Sequence, residues 1–125
     1  MYSVINSEKH LNNPKMDWPL EPGDYAVINP DSSIAICTLG DDIQILDRKI
    51  AINGKACTEN LGVERIVINT ISNPNIRYLI ICGDEIKGHR CGQAILSLWN
   101  NGINKNKKIN GAEGALPYIQ NISEI

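Results

Sequence analysis

Ile76 to Gly83 read IRYLIICG, and the run from Leu79 to Cys82 contains no strongly polar side chain. The stretch is too short for a helix and has no alternating polar face to offer water. A strand of this kind is covered on both sides, as strands inside a parallel sheet are. SIAICTLG, 33–40, is a second short apolar run ending in glycine and reads as another buried strand. Between them, ENLGVERIVINTISNP, 59–74, has helical spacing, with Val63, Ile66, Val67 and Ile71 on one face. Thr58 or Asn60 can cap its start, and Asn73-Pro74 ends it. After the strong strand, Cys91, Ala94, Ile95, Leu98 and Trp99 again fall on one helical face, with Gly102 at the C-terminal cap.

IQILDRKIAING, 43–54, holds two short apolar segments and reads as a hairpin or an excursion. A further short strand is predicted around Lys108 to Asn110. The alternation of strands and helices predicts one compact α/β domain with a mainly parallel sheet flanked by helices. The domain spans 18–125, led by the turn-rich segment WPLEPGDY. Residues 1–17 are polar and read as a loose arm.

Composition removes several classes. A net charge of −2 with mixed signs argues against a nucleic-acid partner, because Lys105, Lys107 and Lys108 with their asparagines read as a solvated turn. No long apolar run predicts membrane insertion, and the first residues lack a signal-peptide core, so the chain reads as soluble and cytoplasmic. Cys37, Cys82 and Cys91 lie in apolar runs as small buried hydrophobes of a reducing compartment.

In parallel sheets, ligands bind beyond the carboxyl ends of the strands. The loops after Leu39, after Cys82, and from Gly111 to Pro117 therefore share one rim, joined by the start of the 60–72 helix. His89 lies in the second of these loops, where Gly83 and Gly88 let the backbone turn. Its imidazole has three uses there: proton transfer, metal ligation, or a structural hydrogen bond. The residues alone leave all three open. Asp84, Glu85 and Glu59 are the candidate carboxylate neighbours. No GxSxG or GxGxxG is present, so an esterase elbow and a dinucleotide fingerprint are unsupported. One rim histidine cannot build a multi-histidine metal site, but it suffices for a metal already held by a macrocycle, haem or a cobalt corrinoid.

WPLEPGDY (18–25), CTLG (37–40), TENLG (58–62), ISNPNIRYLIICGDEIKGH (71–89), GQ (92–93) and GAEGALPYIQNI (111–122) occur in order over nearly the whole chain after the arm. In this combination the sequence resembles the corrinoid-carrying subunit of tetrahydromethanopterin S-methyltransferase. The resemblance implies a Rossmann-like α/β fold that binds a cobamide, with His89 of Gly83, Glu85, Gly88, His89 as the lower axial ligand of cobalt and hence the catalytic group. It implies a chain that carries a methyl group from methyl-tetrahydromethanopterin to coenzyme M. That chain works with the other subunits of a membrane complex that exports sodium. Around the cofactor, the candidate contacts are Leu39, Gly40, Thr58, Glu59, Asn60, Gly83, Glu85, Gly88, Gln93, Gly111, Ala112, Gly114, Ala115 and Pro117. The small residues of 111–117 are expected to leave room for a flat ring, and Glu85 to orient the histidine.

The chain ends at Ile125, before the linker and membrane helix of full-length members. That departure keeps an alternative: a stand-alone corrinoid-binding protein for storage, delivery or regulation. Two cofactor-free readings also stand beside it. One is a hydrolase or transferase using His89 with Glu59 or Glu85. The other is a structural protein whose His89 only fixes its loop.

Overall fold

The computed structural model describes the backbone of residues 2–6 and residues 17–119 in full. Seven elements follow in order: β1 (Tyr2–Asn6), β2 (Tyr25–Val27), β3 (Ile34–Cys37), β4 (Ile50–Gly54), α1 (Leu61–Ile71), β5 (Tyr78–Cys82) and α2 (Cys91–Asn101). The strands form one sheet in the order β1-β5-β3-β4-β2. β3 lies at its centre, parallel to both β4 and β5. β1 and β2 close the two edges antiparallel.

The expected α/β fold is therefore present, with the parallel arrangement confined to the three central strands. α1 carries the chain from β4 past β3 to β5, the crossover that parallel strands require. Leu79 and Ile81 of β5, Ala35 and Cys37 of β3, and Ala51 of β4 are buried in one core with Val63, Ala94 and Ile95 of the helices. Each fully buried Val, Leu or Ile side chain among them contributes ~1.5–3 kcal/mol. Trp18 belongs to the same core. Its indole N–H donates to the Asn69 carbonyl at 2.7 Å, while Asn69 exchanges two hydrogen bonds with the Glu21 backbone. These bonds seat the lead-in segment on α1.

Four expectations are corrected. The first residues are not all loose arm, because Tyr2–Asn6 pairs with β5 from Tyr2 opposite Cys82 to Asn6 opposite Tyr78. YSVIN supplies β-forming residues, and β5 without it would leave a row of unpaired backbone groups. The segment 43–49 forms neither a strand nor a hairpin; it is a loop, and the strand begins at Ile50. Asn53 holds the loop through its Nδ2, which donates to the Ile43 carbonyl at 2.7 Å. The helical faces are narrower than their spacing suggests, since Ile71 and Trp99 are exposed by 52% and 53% at the last turns. Finally, Lys108 and Ile109 form isolated bridges to Tyr118 and Ile103 rather than a strand.

Candidate functional site

Because β3, β4 and β5 run parallel, the segments that leave them emerge at one edge of the sheet. The loop after β3 meets the loop after β5 through the Gly40 N–H, which donates to the Asp84 carbonyl at 3.0 Å. The Asp84 N–H in turn donates to Asp41 Oδ2 at 2.8 Å. Gly83 sits at this junction with φ +84°, and a β-carbon there would collide with the Thr38 carbonyl oxygen. Only glycine meets both demands. The same holds for close packing at Gly40, where a β-carbon would come within 2.6 Å of Ile86.

His89 and Glu59 form the centre of the rim. His89 Nδ1 lies 2.7 Å from Glu59 Oε2. The imidazole side chain is 43% exposed, whereas the carboxylate is 2% exposed. The other oxygen, Glu59 Oε1, accepts the Leu116 N–H at 2.7 Å. Burial pushes the Glu59 carboxyl up, but its own backbone N–H, the Leu116 N–H and His89 outweigh that and hold it below its ordinary value. An ionised carboxylate only accepts hydrogen bonds, so Nδ1 carries the proton, and in the neutral imidazole the lone pair is on Nε2. Nε2 has no partner among the described residues. One nitrogen anchored on a buried carboxylate and the other without a partner is an arrangement that serves a general base and a metal ligand alike.

Glu85, expected to orient the histidine, does something else. Its two carboxylate oxygens accept the Gly92 and Gln93 N–H groups at 2.8 and 3.1 Å. These are the first turn of α2, whose N-cap residue Arg90 makes no side-chain cap bond and has φ +51°. Glu85 thus supplies the cap and the negative charge that this helix start favours. Glu59 is the orienting carboxylate instead.

The 111–117 loop packs against the histidine and its carboxylate. A β-carbon on Gly114 would collide with the His89 carbonyl oxygen and come within 2.8 Å of Glu59 Cγ. The glycine lets the loop lie close to both residues. Ala115 N–H reaches the Gly88 carbonyl at 3.4 Å. Gln93 ties the loop to α2: its Nε2 donates to the Gly111 carbonyl and its Oε1 accepts the Glu113 N–H. An ion pair between Arg90 and Glu113, 3.2 Å, adds a second tie.

The remaining candidates divide. Gly88 lies beside His89 with φ +88° and open space around its α-carbon. Thr58 Oγ1 accepts the Gly62 N–H and Asn60 Oδ1 accepts the Leu61 N–H, so both cap α1. Gly111 turns with φ +85°, Ala112 packs on the core, and Ala115 is exposed. Pro117 is buried, its carbonyl accepting the Ile109 N–H. Leu39 is fully buried, its carbonyl accepting the Ala56 N–H. Leu116 was missed from sequence, because its contribution is a backbone N–H and carries no residue signature. The cysteines are free; burial first of all pushes the Cys37 and Cys91 thiols up to about 12, away from thiolate chemistry.

Fold and rim together define an α/β domain that presents one carboxylate-anchored imidazole at the carboxyl ends of parallel strands. The MtrA family, the A subunits of tetrahydromethanopterin S-methyltransferase, matches residues 11–125, and the chain belongs to that family. It is 53% identical over 106 residues to the A subunit of the "Putative methyltransferase Mtx" of Methanosarcina barkeri, covering 85% of this chain and 53% of that protein. It is 47% identical over 109 residues to the tetrahydromethanopterin S-methyltransferase A subunit of Methanosphaera stadtmanae, covering 85% and 44%. With the corresponding protein of Methanocaldococcus jannaschii the identity is 45% over 114 residues, covering 89% and 47%. The chain spans about half the length of the curated relatives it matches. No helix among the described residues is long and apolar enough to cross a membrane.

Proposed function

We propose that this chain is the cobamide-binding part of a methyl carrier, in which His89 Nε2 would hold the cobalt. The observation that carries the reading is the His89–Glu59 pair, which engages Nδ1 and leaves Nε2 without a partner among the described residues. A cobamide, when bound there, supplies a cobalt centre that takes up a methyl group and gives it away. The chain's own residues hold and orient. Glu59 keeps the proton on Nδ1, the Leu116 N–H and Gly114 keep Glu59 in place, and Glu85 fixes the helix start beside the histidine loop. Gly83 and Gly88 give that loop backbone angles other residues rarely adopt.

The family supports a place beside partner subunits of a membrane methyltransferase. In that assembly methyl-tetrahydromethanopterin is the donor, coenzyme M the acceptor, and sodium export the coupled event. The partners would bind both substrates and carry the ions. A second reading rests on the Methanosarcina barkeri relative, whose name is that of a different methyltransferase. There the same domain would serve another set of partners, or act as a stand-alone corrinoid-binding protein for storage, delivery or regulation.

Titration of the purified protein with cobalamin, followed by visible absorption and EPR of the cobalt(II) form, tests the reading. Nitrogen hyperfine structure that changes with isotopically labelled histidine, and is lost in His89→Ala, is the expected result. Binding with identical spectra in both proteins would remove His89 from cobalt. Absence of binding to either would return the rim to the cofactor-free readings. Methyl transfer with partner subunits from each methyltransferase type then separates the two carrier readings.

A further inference from the structure

A second recess lies between α1 and the sheet surface formed by β2, β3 and β4. It encloses about 280 Å³ and is walled by Tyr25, Ala35, Ile52, Leu61, Ile66 and Leu79, among others. Neither Glu59 nor His89 lines it. Its size is close to the lower end of small-molecule sites, which are mostly apolar with a few placed polar groups.

The polar groups on its wall are nearly all satisfied from within. Thr58 Oγ1 accepts the Gly62 N–H, Thr70 Oγ1 donates to the Ile66 carbonyl, and Asn69 is spent on Glu21. Lys55 lies between Asp42 and Asp24, at 3.3 and 3.9 Å. Arg65 is the exception. Its Nε is buried with no hydrogen-bond partner, and the guanidinium enters none of the ion pairs among the described residues. An unpaired buried donor is costly, more so on a charged group. The wall carries two cations, Lys55 and Arg65, against the single carboxylate of Asp24. An apolar recess walled by a guanidinium that enters none of the ion pairs among the described residues is complementary to an apolar body that ends in an anion.

We infer that this recess binds a small amphipathic acid, its apolar part against Ile52, Ile66 and Leu79 and its carboxylate or phosphate on Arg65. The recess shares Thr58 and the start of α1 with the rim, but neither His89 nor Glu59 lines it, so binding there is independent of His89.

Octanoate, with octanol as its uncharged analogue, is the probe. Amide NMR spectra of the full chain are followed during titration for the wild type, Arg65→Gln and the recess-filling Ile66→Trp. The expected result is shifts centred on Leu61 to Thr70, with octanoate about tenfold tighter than octanol, as a charge-assisted hydrogen bond allows. Arg65→Gln should erase that preference, Ile66→Trp should weaken both probes, and His89→Ala should change neither. Equal affinity for the two probes, an unchanged preference in Arg65→Gln, or shifts elsewhere would overturn the inference. Release of octanoate by cobalamin would overturn the independence of the site. The folded spectrum of each variant shows in the same experiment that a lost response is not lost structure.

Discussion

His89 Nδ1 and Glu59 Oε2 stand 2.7 Å apart across thirty residues of chain, one side chain half-exposed and the other almost wholly buried. The pair joins the end of β5 to the start of α1. It decides which imidazole nitrogen meets solvent, and so what the rim can bind.

Glu59→Gln tests the tautomer directly. The amide replaces an obligate acceptor, and its NH2 can donate to Nδ1, moving the proton to Nε2. Nitrogen-15 NMR of the neutral imidazole should show Nε2 unprotonated in the wild type and protonated in the variant. Affinity for a metal centre at His89 should fall about 10–100-fold, the usual effect of removing a ligand's orienting partner. Unchanged nitrogen shifts would mean that Glu59 does not set the tautomer.

Acid should act through the same carboxylate. Glu59 is held below its ordinary value of 4.5, so the folded state binds this proton less readily than the unfolded chain does. Its stabilisation is fully present above that value and is lost as the pH falls through the lower folded-state value. Chemical denaturation at a series of pH values should show a steeper acid loss in the wild type than in Glu59→Gln. Parallel curves would remove Glu59 from the acid response.

Gly114→Ala should separate packing from chemistry. The added methyl would meet the backbone carbonyl of His89 and the buried side chain of Glu59. Overpacking of this kind costs ~1–3 kcal/mol. Urea unfolding should report the loss, and the His89 imidazole resonances should move with it. A fully stable variant with native imidazole resonances would mean that the loop does not close as tightly as described.

Glu85→Ala should cost about 1 kcal/mol through its lost cap on α2. The loss appears in the thermal midpoint, while the nitrogen shifts of His89 stay at their wild-type values. A changed tautomer in this variant would restore Glu85 to the orienting role.

The contrast between Glu59 and Glu85 shows what a sequence carries. β5, β3 and the cores of both helices were readable because continuous apolar runs and helical spacing are local patterns. From them came the parallel centre, the shared rim and His89. Glu85 reads as the natural neighbour of His89 because it lies four residues away. The chain instead turns that carboxylate toward the α2 start and brings in Glu59 by way of the α1–β5 crossover. Such a contact depends on strand order, which β-branched runs do not encode. Leu116 was invisible for a different reason, since a backbone N–H is the same in every residue but proline. β1 and β2 escaped because edge strands of five and three residues with mixed polarity look like loops.

β1 has a practical consequence for handling the protein. Tyr2–Asn6 covers the outer side of β5, the strand that leads into the histidine loop. Material trimmed at its front, or carrying a bulky fusion against Tyr2, would turn β5 into a bare margin able to recruit a strand from a neighbouring molecule. Oligomers seen in such a preparation would report a missing strand rather than a native assembly, and an affinity tag is safer away from Met1.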